Sequence, residues 1–345
     1  MELTEVLGSP VVQAPMAGGG STPELVAAVS EAGGFGFLAA GYKTAAAMRA
    51  EIERTRQATS RPFGMNLFLP SHDPVDDAAL AAYRERLAPE AALLGVEPGT
   101  AADRGDGWDA KVADLLADPV AVVSFTFGCP SAEVLRDFQA AGTLTIVTVT
   151  SVDEARTATA AGADVLCVQG SEAGGHSGAF TNAAADAANT PLRTLLAEVR
   201  LSTELPLIAA GGLADGGDIA ETLLLGASAA QLGTVFVACP ESGASAVHKA
   251  ALTDPRFTAT AMTRAFSGRP ARGLVNRFLT EHSGHAPAAY PDVHYLTAPL
   301  RKAAAARGDA GLVNLWAGES YRRAEPGVPA AEIVARLLRG ATPAQ

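Results

Sequence analysis

Cysteine is scarce in this chain. Its 345 residues include three, Cys129, Cys167 and Cys239, which lie far apart and form no C-x-x-C motif. Each one lies in or beside an apolar run that resembles a strand. This usage favours buried, reduced thiols over a disulfide framework, and we expect a cytoplasmic protein.

Positive charge is also scarce. Lys and Arg number 26 against 37 Asp and Glu, which gives a formal net charge of -11. Arg269 and Arg272 form a local basic pair, but no basic stripe exists to meet phosphates, so a nucleic-acid partner is not expected. The N-terminus carries acidic residues and lacks the apolar core of a secretion signal. The longest uncharged stretch, Thr222 to Pro240, contains Gln231 and two glycines. It is more typical of a helix end, a turn and a buried strand than of a membrane span.

Several catalytic motifs are absent. The chain has no G-x-S-x-G elbow and no P-loop, which argues against serine hydrolases and P-loop nucleotide hydrolysis. Gly34 to Ala39 matches G-x-G-x-x-A, but it follows a helical pattern and runs into a strand, the reverse of the order in dinucleotide-binding folds. His282 and His285 form an H-x-x-H pair that no cysteine or obvious carboxylate set completes. We therefore predict no metal site.

Glycine, alanine and apolar residues are abundant. Glycine numbers 35, apolar residues make up 48% of the chain and aromatic residues only 6%, which favours close packing of helices on strands. One pattern recurs: a helical segment ends at Gly33, Gly142, Gly162 or Gly226, and a short apolar run and a small-residue loop follow. Glycine just past a helix end supplies the left-handed residue that turns the chain back onto a sheet. The repeat predicts βα units and therefore a parallel sheet.

Eight strands are predicted: Pro10–Pro15, Phe35–Ala39, Phe63–Leu69, Val120–Phe125, Leu144–Val149, Val165–Val168, Leu207–Ala210 and Ala229–Leu232. The helices predicted between them are Pro23–Ala32, Thr44–Ala58, Ala132–Ala140, Val152–Ala161, Pro191–Leu201 and Asp218–Leu225. Eight units favour a closed (β/α)8 TIM barrel over an open doubly wound sheet. Two gaps are longer than a βα unit requires, and both contain alanine-rich runs. We predict an α/β protein in which residues 1–70 and 118–240 form the barrel. Residues 71–117 and 241–345 are predicted to form a second, mainly helical domain that covers the substrate.

The stretch from Asp164 to Gly178 joins a strand to a glycine-rich loop. Val165–Val168 is apolar and rich in β-branched residues, as in a strand buried on both faces. Gly174 and its neighbouring glycines remove side chains around His176, which would let a flat ligand approach the backbone. A histidine in such a loop favours a general base or hydrogen-bond donor over a structural role, because its ordinary pKa lies near neutrality.

Two later strands end in loops suited to an anion. Their candidate residues are Gly211, Gly212, Gln231, Leu232, Gly233 and Thr234. Such loops present bare backbone N–H groups and a hydroxyl, and barrels commonly bind phosphate on the loops after strands seven and eight. These are the seventh and eighth predicted strands. Glycines that only make tight turns are the alternative.

Two carboxamides lie near strand ends. Asn66 interrupts an otherwise apolar strand, and Gln169 follows the sixth predicted strand. A carboxamide offers a donor and an acceptor, which suits the pyrimidine edge of a flavin. A bond to the local loop is an equally good account of either residue.

Together these residues resemble the nitronate monooxygenase family, formerly called 2-nitropropane dioxygenases, whose members are FMN-dependent (β/α)8 enzymes. The likeness covers nearly the whole chain. The segments that carry it are Gln13–Met16 with Gly18 and Gly19, Phe63–Asn66, Gln169–Gly178, Gly211–Gly212, Gln231–Thr234, Thr263–Arg272 and Leu315–Gly318.

The resemblance implies roles for these residues. The backbone near Met16 and the residues Asn66, Gln169 and Gly174 would contact FMN. The two anion loops would bind the FMN phosphate. His176 would be the catalytic base.

The resemblance also implies a reaction. An alkyl nitronate such as propionate 3-nitronate would react with O2 to give a carbonyl compound and nitrite, and His176 would first take a proton from a neutral nitroalkane. Ser177 and Glu319 depart from the family pattern, which leaves FMN binding credible and puts the substrate in question. The implied partners are small molecules, and a homodimer is an open alternative.

Three rival functions remain. The first is an NAD(P)H-dependent flavin reductase, acting on a quinone or an enoyl thioester, on the same barrel. The second is a flavin-binding protein in which His176 is structural. The third is a cofactor-free sugar-phosphate barrel. The segment Leu315–Gly318 favours a nitronate monooxygenase over the flavin reductase.

Overall fold

The protein contains an eight-stranded parallel barrel, seen in a computed structural model that describes residues 2–100 and 103–341. The strands are β1 (Val11–Gln13), β2 (Phe37–Ala39), β3 (Gly64–Phe68), β4 (Val122–Thr126), β5 (Leu144–Val149), β6 (Val165–Gln169), β7 (Gly175–His176), β8 (Leu207–Ala210), β9 (Ala229–Leu232), β10 (Thr260–Thr263) and β11 (Ala271–Leu274). The barrel order is β1-β9-β8-β6-β5-β4-β3-β2, and every pairing is parallel. A single parallel bridge from Val12 to Phe35 links the two ends of the sheet. All eight strands therefore end at one rim.

The predicted parallel barrel is confirmed, and local signals explain why. Each of the eight predicted strands contains or overlaps one barrel strand. Gly33, Gly142, Gly162 and Gly226 all have the left-handed φ that the helix-end pattern predicts. The turn glycines and the apolar strand segments therefore specify the same fold.

Sixteen α-helices lie in the described part of the chain. They are α1 (Leu3–Leu7), α2 (Pro23–Glu31), α3 (Ala45–Ala58), α4 (Asp77–Arg86), α5 (Ala88–Leu94), α6 (Trp108–Ala117), α7 (Ala132–Ala140), α8 (Val152–Ala161), α9 (Asn182–Ala187), α10 (Leu192–Arg200), α11 (Gly216–Leu224), α12 (Thr234–Val237), α13 (Ala246–Ala251), α14 (Arg277–His282), α15 (Asp292–Ala306) and α16 (Ala330–Ala341). Ser283–His285 and Tyr321–Arg323 are short 3-10 helices. None of the helices in residues 2–100 and 103–341 is long and apolar enough to cross a bilayer.

Two helices of the predicted second domain pack against the barrel. Leu115 of α6 and Val334 and Leu337 of α16 are buried in the same apolar cluster as the barrel strands and their outer helices. Helix α6 contacts α3, and α16 contacts α11 and α2, as helices of the barrel's outer ring do. The sequence prediction places both in the second domain, residues 71–117 and 241–345. The apolar face of each helix packs on the barrel. The sequence did not indicate this, because other elements separate each helix from the barrel strand before it. Residues 101, 102 and 342–345 of those ranges lie outside the described residues.

A second apolar cluster does combine the two extra segments. Tyr83 and Leu87 pack there with Phe278, Val293 and Leu300, and the Tyr83 hydroxyl donates to the Ala265 carbonyl over 2.7 Å. The region is not only helical, since β10, β11 and β7 form an antiparallel sheet. Within it His176 pairs with Ala271. The loop that carries His176 is thus tied to a segment almost a hundred residues later.

The amino-terminal end of the barrel is filled with side chains. Leu3, Val6 and Leu7 of α1 join an inner cluster with Phe37 and Ile146. Barrels of eight strands are packed in this way and keep open space at the carboxyl rim.

Candidate active site

A cavity of ≈ 510 Å³ lies at the carboxyl rim of the barrel, beside the second cluster. Every site residue predicted from the sequence lines it: Met16, Asn66, Gln169, Gly174, His176, Gly211, Gly212, Gln231, Leu232, Gly233 and Thr234. The carboxyl ends of five strands, β1, β3, β6, β8 and β9, bring these residues together, because parallel strands end on one side. The roles given to them stay predictions.

One side of the cavity, which we call the strand-end wall, consists of Gly211, Gly212, Gly233 and Thr234. The backbone N–H groups of Gly212, Gly233 and Thr234 donate to no other residue in the described part of the chain. The Thr234 hydroxyl oxygen accepts from the Gly318 N–H over 3.0 Å, so its own hydrogen remains for a ligand. The wall offers donors without a charged side chain.

Asn66 is held by the neighbouring strand rather than by its own loop. Its amide nitrogen donates to the hydroxyls of Ser124 (2.9 Å) and Thr126 (3.0 Å), both on β4. Its amide oxygen accepts from no residue among those described. That oxygen is the part of Asn66 left for a ligand.

Gln169, the last residue of β6, closes the loop that follows it. Its side-chain oxygen accepts from the Gly178 N–H over 2.7 Å, and its amide nitrogen donates to the His176 carbonyl over 3.1 Å. Both polar ends are therefore used within the loop. The predicted contact with a cofactor remains a prediction.

Gly174 is required by protein packing. A Cβ at this position would lie 2.4 Å from the backbone nitrogen of Gly318 and 2.5 Å from the carbonyl carbon of Ala317. The close neighbour of Gly174 is the segment Leu315–Gly318, and the predicted approach of a flat ligand to this loop stays a prediction.

The His176 imidazole is positioned by one hydrogen bond and two aromatic neighbours. Its Nε2 lies 2.9 Å from the Ser267 hydroxyl, which donates its own hydrogen to the Arg269 carbonyl over 3.1 Å. When the Ser267 hydroxyl donates to the Arg269 carbonyl, its oxygen accepts from Nε2–H of the neutral ring, which leaves Nδ1 unprotonated. The ring packs between Tyr290 (centroids 5.7 Å apart) and Trp316 (5.4 Å).

Burial, together with the charges of Arg269 and Arg301, lowers the pKa of His176 to about 3. The imidazole is therefore neutral at neutral pH. The sequence analysis started from the ordinary pKa of histidine, which lies near neutrality. Burial is the largest cause of the difference, and the charges of Arg269 and Arg301 add to it.

Arg269 clamps the loop after His176. Its side chain is 1% exposed and donates to the carbonyls of Ser177 (3.1 Å) and Ala179. Its guanidinium lies over the Phe127 ring, 4.2 Å from the centroid. No carboxylate in residues 2–100 and 103–341 forms an ion pair with it. Sequence reasoning noted only a local basic pair here and missed the clamp.

Helix α15 also lines the cavity, and sequence reasoning missed it. His294, Arg301 and Lys302 line the cavity, and we call them the α15 wall. Arg301 and Lys302 are the charged side chains among the cavity residues, which include no Asp or Glu in the described chain. In the sequence this segment is an ordinary alanine-rich helix, so no local signal pointed to it.

The H-x-x-H pair does not converge on one site. His282 instead lies beside the carboxylates of Glu90 and Glu281. Arg277 pairs with both carboxylates, at 2.6 Å and 2.8 Å, and so supplies the positive charge there.

The fold and the cavity define a (β/α)8 enzyme with its site at the carboxyl rim. A family model described as nitronate monooxygenase matches residues 1–340. The chain is 41% identical to the nitronate monooxygenase of Pseudomonas aeruginosa, over 97% of each chain. It therefore belongs to the nitronate monooxygenase family of enzymes, as the resemblance predicted.

Two solved structures are similar to the whole chain. A nitroalkane oxidase from Streptomyces ansochromogenes is 55% identical, with a TM-score of 0.96 over 98% of this chain and 97% of that one. FabK from Thermotoga maritima is 30% identical, with a TM-score of 0.77 over 98% and 95% of the two chains. The barrel and its added segments are thus shared with both.

Proposed function

We propose that the protein oxidises alkyl nitronates with O2, using bound FMN, and releases a carbonyl compound and nitrite. The observation that carries this proposal is the charge of the cavity. Its charged side chains are cations only, in a chain of net charge -11. A nitronate is an anion, and such a cavity attracts anions.

The residues at the rim fit FMN. The strand-end wall would bind the phosphate through free N–H groups and the Thr234 hydroxyl. The free amide oxygen of Asn66 would accept a hydrogen bond from the flavin ring, and Met16 and Gln169 border the same space. FMN, when bound, supplies the redox chemistry that side chains lack.

His176 separates two substrate classes. A base whose conjugate acid has a pKa of about 3 is a weak proton acceptor, so removal of a proton from a neutral nitroalkane is slow. A nitronate arrives already deprotonated. Its negative charge would also raise the imidazole pKa and favour a protonated ring that donates to a nitro oxygen. The site therefore favours nitronates.

Nitroalkanes are the second candidate substrate, because the Streptomyces relative at 55% identity is named a nitroalkane oxidase. The predicted rival, an NAD(P)H-dependent flavin reductase, has one observation in its favour. The adjacent cations Arg301 and Lys302 could meet a nicotinamide phosphate.

Nitrite release tests the proposal. The yellow holoenzyme should release nitrite from propyl-1-nitronate and propionate 3-nitronate under air. His176→Asn should retain FMN and lose about 10²–10⁴-fold on a neutral nitroalkane, the usual effect of removing a general base, but lose less on the preformed nitronate. Nitroalkane turnover unchanged by the substitution would remove His176 as the base. Absence of nitrite from every nitronate would remove the function.

The second cluster is proposed to act as the cover of the substrate. Its helix α15 supplies the α15 wall, and Phe266 from the same cluster also lines the cavity. The substrate would then lie between the barrel rim and this cover.

A further inference from the structure

Arg301 is a cation without an anionic partner. Its Nε donates to the Thr297 hydroxyl (3.0 Å) and its Nη2 to the His294 carbonyl (2.9 Å). Its Nη1 contacts the Asn314 amide oxygen at 3.3 Å. All these acceptors are neutral, and Arg301 forms no ion pair with any residue of the described chain. Arg301 is half-buried and lines the cavity, so its unpaired charge is available to an anion bound there.

The guanidinium is held firmly in place. Thr297, which accepts from Arg301, donates to the Phe266 carbonyl over 2.6 Å. The His294 ring, 3.3 Å from Nη2, stacks on Tyr42 with centroids 3.7 Å apart and planes inclined by 8°. A fixed cation loses little freedom when it binds an anion.

Arg301 lies on the imidazole side of the cavity. Tyr290 contacts His176, and its hydroxyl donates to the Tyr42 hydroxyl over 3.1 Å. Tyr42 in turn stacks on His294, the neighbour of Arg301. The strand-end wall, where the FMN phosphate is proposed to bind, is built from other elements. The charge of Arg301 therefore remains for the substrate.

Hydrogen counting defines what Arg301 can bind. Of its five N–H groups, the contacts to Thr297, Asn314 and His294 use four. One Nη1–H remains, together with the full positive charge. A charge-assisted hydrogen bond to one carboxylate oxygen would use the remaining N–H group and the positive charge together.

We infer that Arg301 is a specificity-determining residue that binds a carboxylate carried by the substrate in addition to its nitronate group. This inference rests on the proposed nitronate oxidation. It predicts a preference for nitronates that carry two negative charges.

Two substrates of equal carbon chain length separate the contribution of the carboxylate from that of the nitronate group. Propionate 3-nitronate carries it, and propyl-1-nitronate lacks it. In Arg301→Gln holoenzyme, kcat/KM for propionate 3-nitronate should fall about 10–100-fold, mainly through KM, as expected for loss of a charged hydrogen bond. The value for propyl-1-nitronate should change less than about 3-fold. Arg301→Lys should keep part of the preference, because it keeps the charge.

Lys302→Gln is the matched charge control. It removes one exposed cation beside Arg301, and we expect a small, equal decrease for both substrates that disappears at high salt. Competition gives a second readout: propionate should inhibit propyl-1-nitronate oxidation by the native enzyme and inhibit Arg301→Gln much less. Flavin content and the thermal midpoint establish that each variant is folded.

Equal losses on both substrates would overturn the inference and make Arg301 a support for the common nitronate site. No change on either substrate, or propionate inhibition that persists in Arg301→Gln, would overturn it as well. If the native enzyme releases no nitrite from either nitronate, the proposed function fails, which is a separate outcome.

Discussion

The strand-end wall and the α15 wall offer different chemistry to the anions that are proposed to bind there. The strand-end wall offers main-chain N–H groups and the Thr234 hydroxyl, with no charged side chain. The α15 wall offers the side chains of Arg301 and Lys302. Main-chain donors depend on backbone shape, whereas a side-chain cation can be replaced by one substitution. The comparison suggests that the strand-end wall binds the phosphate of the cofactor, which does not vary. The α15 wall would select among substrates, which do vary.

Gly174→Ala should have the largest effect, because it breaks the strand-end wall. The new Cβ would collide with the backbone of Ala317 and Gly318, and Gly318 holds Thr234. Overpacking of this kind costs about 1–3 kcal/mol. We expect most of the FMN to be lost and both nitronates to react more slowly by the same factor. Flavin absorbance per protein measures this loss.

Gly284→Ala is the control for that substitution, since a Cβ there meets nothing within 4 Å. It should leave FMN content unchanged. Full FMN retention in Gly174→Ala would contradict the account of the strand-end wall.

Arg269→Gln should have a smaller effect, confined to the imidazole side. Arg269 lowers the pKa of His176, so its removal should raise that pKa, while burial keeps it below 6.5. In the pH profile of kcat/KM for a neutral nitroalkane, the acid limb reports the pKa of the base in the free enzyme. This limb should move toward neutral pH. The lost bonds to Ser177 and Ala179 should also cost about 1–3 kcal/mol.

Arg269→Lys separates the two effects of Arg269. It keeps the charge, so the acid limb should stay in place, but one ammonium cannot reproduce the planar fork to two carbonyls. An acid limb that moves equally in both variants would show that loop geometry, and not charge, sets the pKa of His176.

Acid stability depends on the buried histidines. Burial lowers the pKa of His248 to about 4, and that of His176 is about 3. Below pH 6.5 the unfolded chain takes up these protons while the folded chain does not, so the free energy of unfolding falls as the pH falls. Each histidine should contribute about 1.4 kcal/mol per pH unit, down to its folded pKa. Urea unfolding at pH 7, 6 and 5 measures the slope.

His248→Asn should reduce that slope by the share of one histidine. The expected remainder comes from the other histidines with lowered pKa values, including His294. A slope identical to that of the native protein would mean that His248 is not neutral in the folded state.

The barrel and the strand-end wall could be predicted because their signals are local. Gly211 and Gly212 follow a strand directly, and Gly226 marks the helix end before the next one. Periodicity and turn glycines therefore determined both the strands and the loops at their ends. His176 was found for the same reason, since it lies in a glycine-rich loop after β6.

The α15 wall could not be predicted because its function depends on distant partners. Thr297, which accepts from Arg301, is held by the Phe266 carbonyl, and His294 stacks on Tyr42, about 250 residues earlier. The pairing of His176 with Ala271 also joins separate segments. An isolated sequence gives no signal for contacts of this kind.

The central claim is that an anionic nitronate, and not a nicotinamide nucleotide, reduces the flavin held at this rim. Anaerobic mixing of the purified holoenzyme with propyl-1-nitronate or with NADH, followed by flavin absorbance, tests it most directly. The account predicts rapid bleaching with the nitronate and none on that timescale with NADH. Rapid bleaching with NADH and none with the nitronate would contradict it.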